Sequence, residues 1–255
     1  MSKVDCAIIM DCTASMSSCI DICKEKTKSI IDDVRENYND ASIRYAFVGY
    51  RDFDTTNSVL DFTEDISVFK NHLSGVQALG GGDTCEDVLG GLELVKNLSW
   101  SNKTRLLMHF ADAPGHGKLY SSGSLDQYPD IDADGSIGKG YMEWLVQNNI
   151  KYTFCKINNS TDGMVLKFKE SYDAISSDFK ITSIEVDVGI SIQPHMSLRT
   201  MYRSAVTSSH STHEFSEKRP TAELYSFAPT QQSYSQAMSS QIQQAIFESN
   251  QRKTG

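Results

Sequence analysis

Val4-Asp5-Cys6-Ala7-Ile8-Ile9-Met10-Asp11-Cys12-Thr13-Ala14-Ser15 opens with a short apolar run, stops at an aspartate and passes into small hydroxyl residues. From Val4 to Met10 the run has no amphipathic period, as expected for a central strand buried on both faces. From Met16 to about Asn37, Ile20, Cys23, Thr27, Ile30, Ile31 and Val34 recur at spacings of three and four, which marks one buried helix face. Strand, polar loop and helix follow one another, and the rest of the chain repeats the theme.

Ser42 to Tyr50 reads as a second strand. The polar turn Arg51 to Asn57 and a short strand near Val59 to Phe62 make an edge hairpin with it. Ile66 to Val76 predicts a helix, Gly80-Gly81-Gly82 a break, and Asp87 to Leu98 another helix. Thr104 to Ala111 is a further apolar run that stops at Asp112. The Gly-, Ser-, Asp- and Pro-rich stretch Pro114 to Lys139 is expected to be a long surface loop. Then follow a helix over Tyr141 to Asn149, a strand over Tyr152 to Ile157, a helix over Asp162 to Ile175 and a last strand over Ile184 to Ile192. This alternation predicts an α/β, doubly wound (Rossmann-like), mostly parallel sheet with one antiparallel edge strand and helices on both faces. One domain is expected over residues 1–192. Residues 193–255 form a C-terminal extension with room for a short helix over Met196 to Val206, then a Ser-, Thr- and Gln-rich tail expected to be largely disordered.

The bulk numbers exclude several function classes. A net charge of -9 with no basic cluster argues against nucleic acid or an anionic membrane as partner. No apolar run approaches the ~20 residues of a membrane span, and Asp5 interrupts the N-terminal apolar stretch, so it does not read as a secretory signal. The six cysteines lack the paired short spacings of a zinc site and read as free thiols in a reducing cytosol, which makes a cytoplasmic location the expectation.

In such a sheet, ligands sit beyond the carboxyl ends of the strands. Three pieces of this chain should meet there: Asp11 to Ser15, Gly80 to Asp87, and Asp112. In a loop leaving a strand, alternate residues point to one side, so Asp11, Thr13 and Ser15 reach one point while Cys12 and Ala14 face away. Carboxylates and hydroxyls form an oxygen shell that suits Mg²⁺ or Mn²⁺ better than structural zinc.

Asp-x-Thr-x-Ser after the first strand, a Gly-rich acidic loop opening a helix, and Asp112 after a later strand resemble the metal-ion-dependent adhesion site of von Willebrand factor type A domains. Asp83-Thr84-Cys85-Glu86 looks like the Asp-x-Pro-Glu version of integrin beta subunits, with Cys85 in place of proline. Val48-Gly49-Tyr50-Arg51-Asp52, Glu86-Asp87-Val88, Ala111-Asp112-Ala113-Pro114 with His116-Gly117, Tyr128-Pro129-Asp130, and Asn158 with Thr161-Asp162 further resemble the type A domain that accompanies alpha-kinases. The similarity covers roughly Val4 to Ser176. No Gly-rich phosphate loop or kinase-like lysine strand is found beyond it, so kinase activity is not carried over. The resemblance implies direct ligation by Thr13 and Ser15, ligation mostly through water by Asp11 and Asp112, and Glu86 in the third-loop position. Asp83 is the alternative there, or serves a neighbouring cation. It also implies a function: binding a partner protein through a carboxylate that fills the open position of the metal.

Other motifs are read as bland. Asp130-x-Asp132-x-Asp134-Gly135 opens like a calcium loop, but Tyr141 stands where a bidentate Glu is needed. Gly135 to Gly140 lacks the first Gly and the Ser or Thr of a nucleotide loop. His210 to Glu214 has no metal-protease arrangement. His109 is expected to pack in its strand and His116 to border the site, while Arg51 and Asp52 either orient the site or pair locally. No catalytic residue is assigned: the rival reading, a Mg²⁺-dependent phosphate-processing enzyme, lacks a His or Lys base in the three loops. A structural domain with a relic site is the third reading.

Overall fold

The structure, a computed structural model, describes residues 3–37, 41–123, 125–175 and 182–185. Its strands are β1 (Lys3–Asp11), β2 (Ser42–Tyr50), β3 (Ser58–Thr63), β4 (Thr104–Ala111), β5 (Ile150–Lys156) and β6 (Thr182–Glu185). They form one six-stranded sheet in the order β3-β2-β1-β4-β5-β6. β3 runs antiparallel to β2, and every other pairing is parallel. The helices are α1 (Ile20–Asn37), α2 (Ile66–Gly75), α3 (Val88–Lys96), α4 (Ser136–Gln147) and α5 (Asp162–Asp173).

Pleating sends alternate residues of each strand to opposite layers. Ala7 and Ile9 of β1, Ala46, Val48 and Tyr50 of β2, and Tyr152 and Phe154 of β5 join one core with Val88, Leu92 and Val95 of α3, Met142 and Leu145 of α4, and Met164, Phe168 and Tyr172 of α5. The intervening positions face the other layer. There Phe69 and His72 of α2 lie 5.5 Å and 5.7 Å, ring to ring, from Tyr45 and Phe47, and Ile20, Cys23, Thr27 and Ile31 form the buried face of α1. Each large side chain fully buried in this way contributes about 1.5–3 kcal/mol.

Register decides what meets at the carboxyl edge. Asp11 pairs with Tyr50, and Met10 with Phe110. Asp11, Arg51 and Asp112 therefore leave three neighbouring strands at almost the same level, with strands about 4.8 Å apart.

Three local expectations are corrected. The first turn after Asp11 is a 3-10 helix over Ala14–Ser18, and α1 begins only at Ile20. α4 begins at Ser136 rather than Tyr141, because Asp132 accepts hydrogen bonds from the Ile137 and Gly138 amides (both 2.8 Å) and from the Tyr120 hydroxyl. That assigns the calcium-like aspartate to a helix cap and the nucleotide-like glycines to the first turns of α4. The same contacts draw Tyr120 and Asp132 inward, so the loop before α4 is not a plain surface loop. Nothing about the loop's polar composition shows this. The expected strand end at Ile192, the domain boundary at 192, His210 to Glu214 and the extension lie outside the described residues.

Candidate metal centre

β1 ends in Asp11, whose Oδ1 accepts the Thr13 amide (2.9 Å) and the Thr13 hydroxyl (2.7 Å). Thr13 Oγ1 lies 3.2 Å from Ser15 Oγ, which donates to Asp112 Oδ1 at 3.0 Å. The expected alternation holds: Asp11, Thr13 and Ser15 share one side, while the Cys12 thiol is buried away from it. The Gly80 to Asp87 loop is laced onto the Asp11 to Ser15 loop, with Ala14 N donating to Gly80 O and Leu79 N to Cys12 O, both 2.9 Å. It is laced onto the Asp112 loop as well, because Glu86 N donates to Pro114 O (3.0 Å) and His116 N to Glu86 O (3.2 Å).

Gly81, at φ +87°, lets this happen. A Cβ there would lie 3.0 Å from Glu86 Oε1 and 3.3 Å from Thr13 Cβ. Gly81→Ala is therefore expected to cost about 1–2 kcal/mol through its left-handed backbone and to weaken any response to Mg²⁺. Thermal melts with and without the cation read both effects, and an unchanged Mg²⁺ response would separate Gly81 from the site.

Asp11, Thr13 and Glu86 are buried, Asp112 is half-buried and Ser15 is exposed, so the cluster opens to solvent on one side. Burial pushes the Asp11 carboxyl up to about 7 against the Thr13 hydrogen bonds, with the Asp112 charge adding to the rise. Burial and the facing Asp11 push Glu86 up to about 9, and burial raises Asp112. Asp11 Oδ2 and Glu86 Oε2 are buried without any hydrogen-bond partner. Carboxylates crowded together with orphaned oxygens leave a deficit of positive charge. A dication held by Asp11, Thr13, Ser15, Glu86 and Asp112 fits that deficit, and the all-oxygen donor set is of the Mg²⁺ or Mn²⁺ type.

Asp83 stands apart from this set. Its Oδ1 accepts the Cys85 amide (2.7 Å) and its Oδ2 the Gln127 amide (2.6 Å), and it lies instead with Cys85 and His116. His116 bonds Asp52 through Nε2 (2.9 Å) and Asp126 through Nδ1 (2.8 Å). Burial would lower its pKa, but these two carboxylates hold it above its usual value. This network gave little signal in the sequence, since Asp126 sits in an unpatterned polar loop. Asp52 is thus taken by His116, while Arg51 donates to the carbonyls of Thr56 (2.5 Å) and Gln77 (2.7 Å) and braces the turn after β2. His109 is buried in β4 between the hydroxyls of Tyr152 (2.7 Å) and Tyr50 (3.1 Å), and burial lowers its pKa to about 3. Beside the site a groove of about 670 Å³ is lined in part by Thr84, Pro114, Tyr120, Ser160 and Asp162.

A family model described as von Willebrand factor A domain matches residues 6–123. Solved structures agree on the fold: the SpRpn10 VWA domain (12% identity, TM-score 0.50, 71% of this chain and 87% of that one) and a mutant PilB minor pilin from Streptococcus sanguinis (12% identity, TM-score 0.51, 73% and 57%). Residues 6–123 thus match the von Willebrand factor A domain, a type of domain that is commonly a protein-interaction module. Within that class it is similar to the alpha-protein kinase vwkA of Dictyostelium discoideum, 34% identical over 169 residues. That match takes in 65% of this chain and 27% of the relative, so the chain spans about a quarter of the relative's length.

Proposed function

We propose that the chain is a divalent-cation-dependent protein-interaction module that binds a carboxylate of its partner through a Mg²⁺ or Mn²⁺ held by Asp11, Thr13, Ser15, Glu86 and Asp112. The observation that carries the reading is the pair of orphaned buried oxygens, Asp11 Oδ2 and Glu86 Oε2, at the bottom of a cluster whose rim, Ser15, is exposed. Protein oxygens supply the floor of an octahedral shell, and the open side leaves a position for an outside oxygen. The acidic surroundings do not favour a bare anion, so the cation would be what makes a partner's carboxylate welcome.

Binding rather than catalysis is favoured because both nearby imidazoles are engaged, His109 by two tyrosines and His116 by two aspartates. A hydrolytic reaction at the site needs a free base. A cytoplasmic setting is part of the proposal, supported by the buried thiols of Cys6, Cys12, Cys19, Cys23 and Cys85, none of them in a disulfide. No described helix is long and apolar enough to cross a membrane.

The test is capture of partners on immobilised wild type and Ser15→Ala chains, in Mg²⁺ and in chelator. Recovery is expected to fall by at least tenfold in chelator and to be low for Ser15→Ala in either buffer. Equal recovery in Mg²⁺ and chelator would defeat the docking role. If the cation then still raised the melting temperature, a purely structural metal would be the better reading.

A further inference from the structure

We infer that Asp83, Cys85, His116 and Asp126 form a second cation site, suited to a borderline-soft dication of the zinc class, beside the oxygen-lined centre and chemically distinct from it. The ligand atoms of Asp83, Cys85 and His116 all lie within 4.8 Å of one another, with Cys85 and His116 buried. Asp126 lies beside this trio and is the fourth donor of the proposal: its Oδ1 is 2.8 Å from His116 Nδ1, and both of these side chains are 2% exposed. A sulfur, an imidazole nitrogen and a carboxylate oxygen this close together, with a second carboxylate beside the imidazole, are the donors that select zinc over magnesium.

The surroundings match what such a site needs. Asp52 bonds the other imidazole nitrogen, Nε2, at 2.9 Å, which orients the ring and leaves Nδ1 for the ion, the usual carboxylate–histidine–metal arrangement. The two ligand carboxylates are pinned by backbone amides, Asp83 by Cys85 and Gln127 and Asp126 by Gly117 and Tyr128. Each oxygen retains a lone pair for a metal. Bonds of about 2.0–2.3 Å in a tetrahedron put donors roughly 3.3–3.8 Å apart, so the trio would draw in by at most about 1 Å while Asp126 draws back from His116 Nδ1 by about 0.5–1 Å.

Without metal, a proton between His116 Nδ1 and Asp126 Oδ1 stands where the cation would. Binding displaces that proton and the Cys85 thiol proton into water, and the thiolate and the neutral imidazole become ligands. The consequence is mechanical. Asp83 and Cys85 belong to the loop that carries Glu86, and His116 and Asp126 to the loop that follows Asp112, so one ion would clasp two walls of the first site together.

The test is a Co²⁺ titration of the metal-stripped full chain, followed by the near-ultraviolet thiolate-to-cobalt charge-transfer band and the visible bands of tetrahedral cobalt. One equivalent is expected to saturate a thiolate band that Zn²⁺ then displaces. Cys85→Ser should abolish the band, Ser15→Ala should leave it intact, and Asp52→Asn should weaken Co²⁺ binding about 10–100-fold. Absence of a thiolate band in the folded wild type, or a band that survives Cys85→Ser, overturns the proposal. Should Cys85→Ser fail to fold by circular dichroism, His116→Gln and Asp126→Asn take its place. At least a tenfold loss of Co²⁺ affinity supports the site, and unchanged affinity overturns it. Loss of Mg²⁺-dependent partner capture has no bearing on this result, because the two readouts follow different ions and different residues.

Discussion

Saturating Mg²⁺ is expected to raise the melting temperature of the wild-type chain by about 5–10 °C over chelator, and Asp11→Asn is expected to abolish that rise. The magnitude follows from mass action: a ligand at a hundred times its dissociation constant adds about 2.7 kcal/mol, and each kcal/mol is worth about 2–4 °C in a domain of this size. The sharper half of the prediction concerns the variant in chelator. Asp11 faces Glu86 and Asp112 from a fully buried position and leaves Oδ2 without a donor. Its negative charge therefore opposes folding when no cation is present. Asparagine keeps the shape and the acceptor for Thr13 while removing the charge. In chelator, Asp11→Asn should melt at or above the wild type, whereas an ordinary structural aspartate would lose stability on the same change. A Mg²⁺ response that persists in Asp11→Asn would remove Asp11 from the site.

At the other end of β1, Asp5→Ala is expected to destabilise the fold by about 3–5 kcal/mol, the scale for breaking a buried ion pair by deleting one partner. That corresponds to a fall in melting temperature on the order of 10 °C. Asp5 is fully buried and accepts from Arg44 Nε (2.8 Å) and Nη2 (2.9 Å), the Ser101 and Asn102 amides (2.8 and 2.9 Å) and Asn102 Nδ2 (2.7 Å). Losing it strands a guanidinium and two amides at once. Burial alone would raise the Asp5 pKa, but Arg44 and these amides outweigh it and hold the carboxyl below the usual carboxylate range. The sign follows: a depressed carboxylate pKa adds stability that is complete above the unfolded value and is lost as pH falls through the folded one. Wild type and Asp5→Ala should therefore differ most above pH 4 and converge in stronger acid, and denaturant melts across that range check it. Six residues of strand, about 20 Å, separate Asp5 from Asp11, so Asp5→Ala should retain its Mg²⁺ response.

The two aspartates of β1 show how unevenly the sequence reveals its contents. Asp11 was legible because it ends an apolar run and is followed by Thr13 and Ser15 at alternate positions, a pattern complete within five residues. Asp5 looked only like an interruption of an apolar stretch, since its partners Arg44, Ser101 and Asn102 lie 39 to 97 residues away. Asp83 shows the same limit. Its place in an acidic Gly-rich loop suggested the first metal, but the amide of Gln127, 44 residues on, turns it toward Cys85 and His116.

The sequence by itself determined the order of strands and helices, the antiparallel edge and the loops that would face one another, because strand and helix periods are local properties and a parallel sheet puts every strand's carboxyl end on one side. Only the tertiary structure decided which oxygens are left without partners and which are spoken for. It alone showed that His109 is locked between two tyrosines, that Asp132 caps α4, and that Asp83 leaves the cluster of Asp11, Thr13, Ser15, Glu86 and Asp112. Hydrogen-bond satisfaction depends on distances of a few ångströms between residues far apart in the chain, and no pattern confined to neighbouring residues contains those distances.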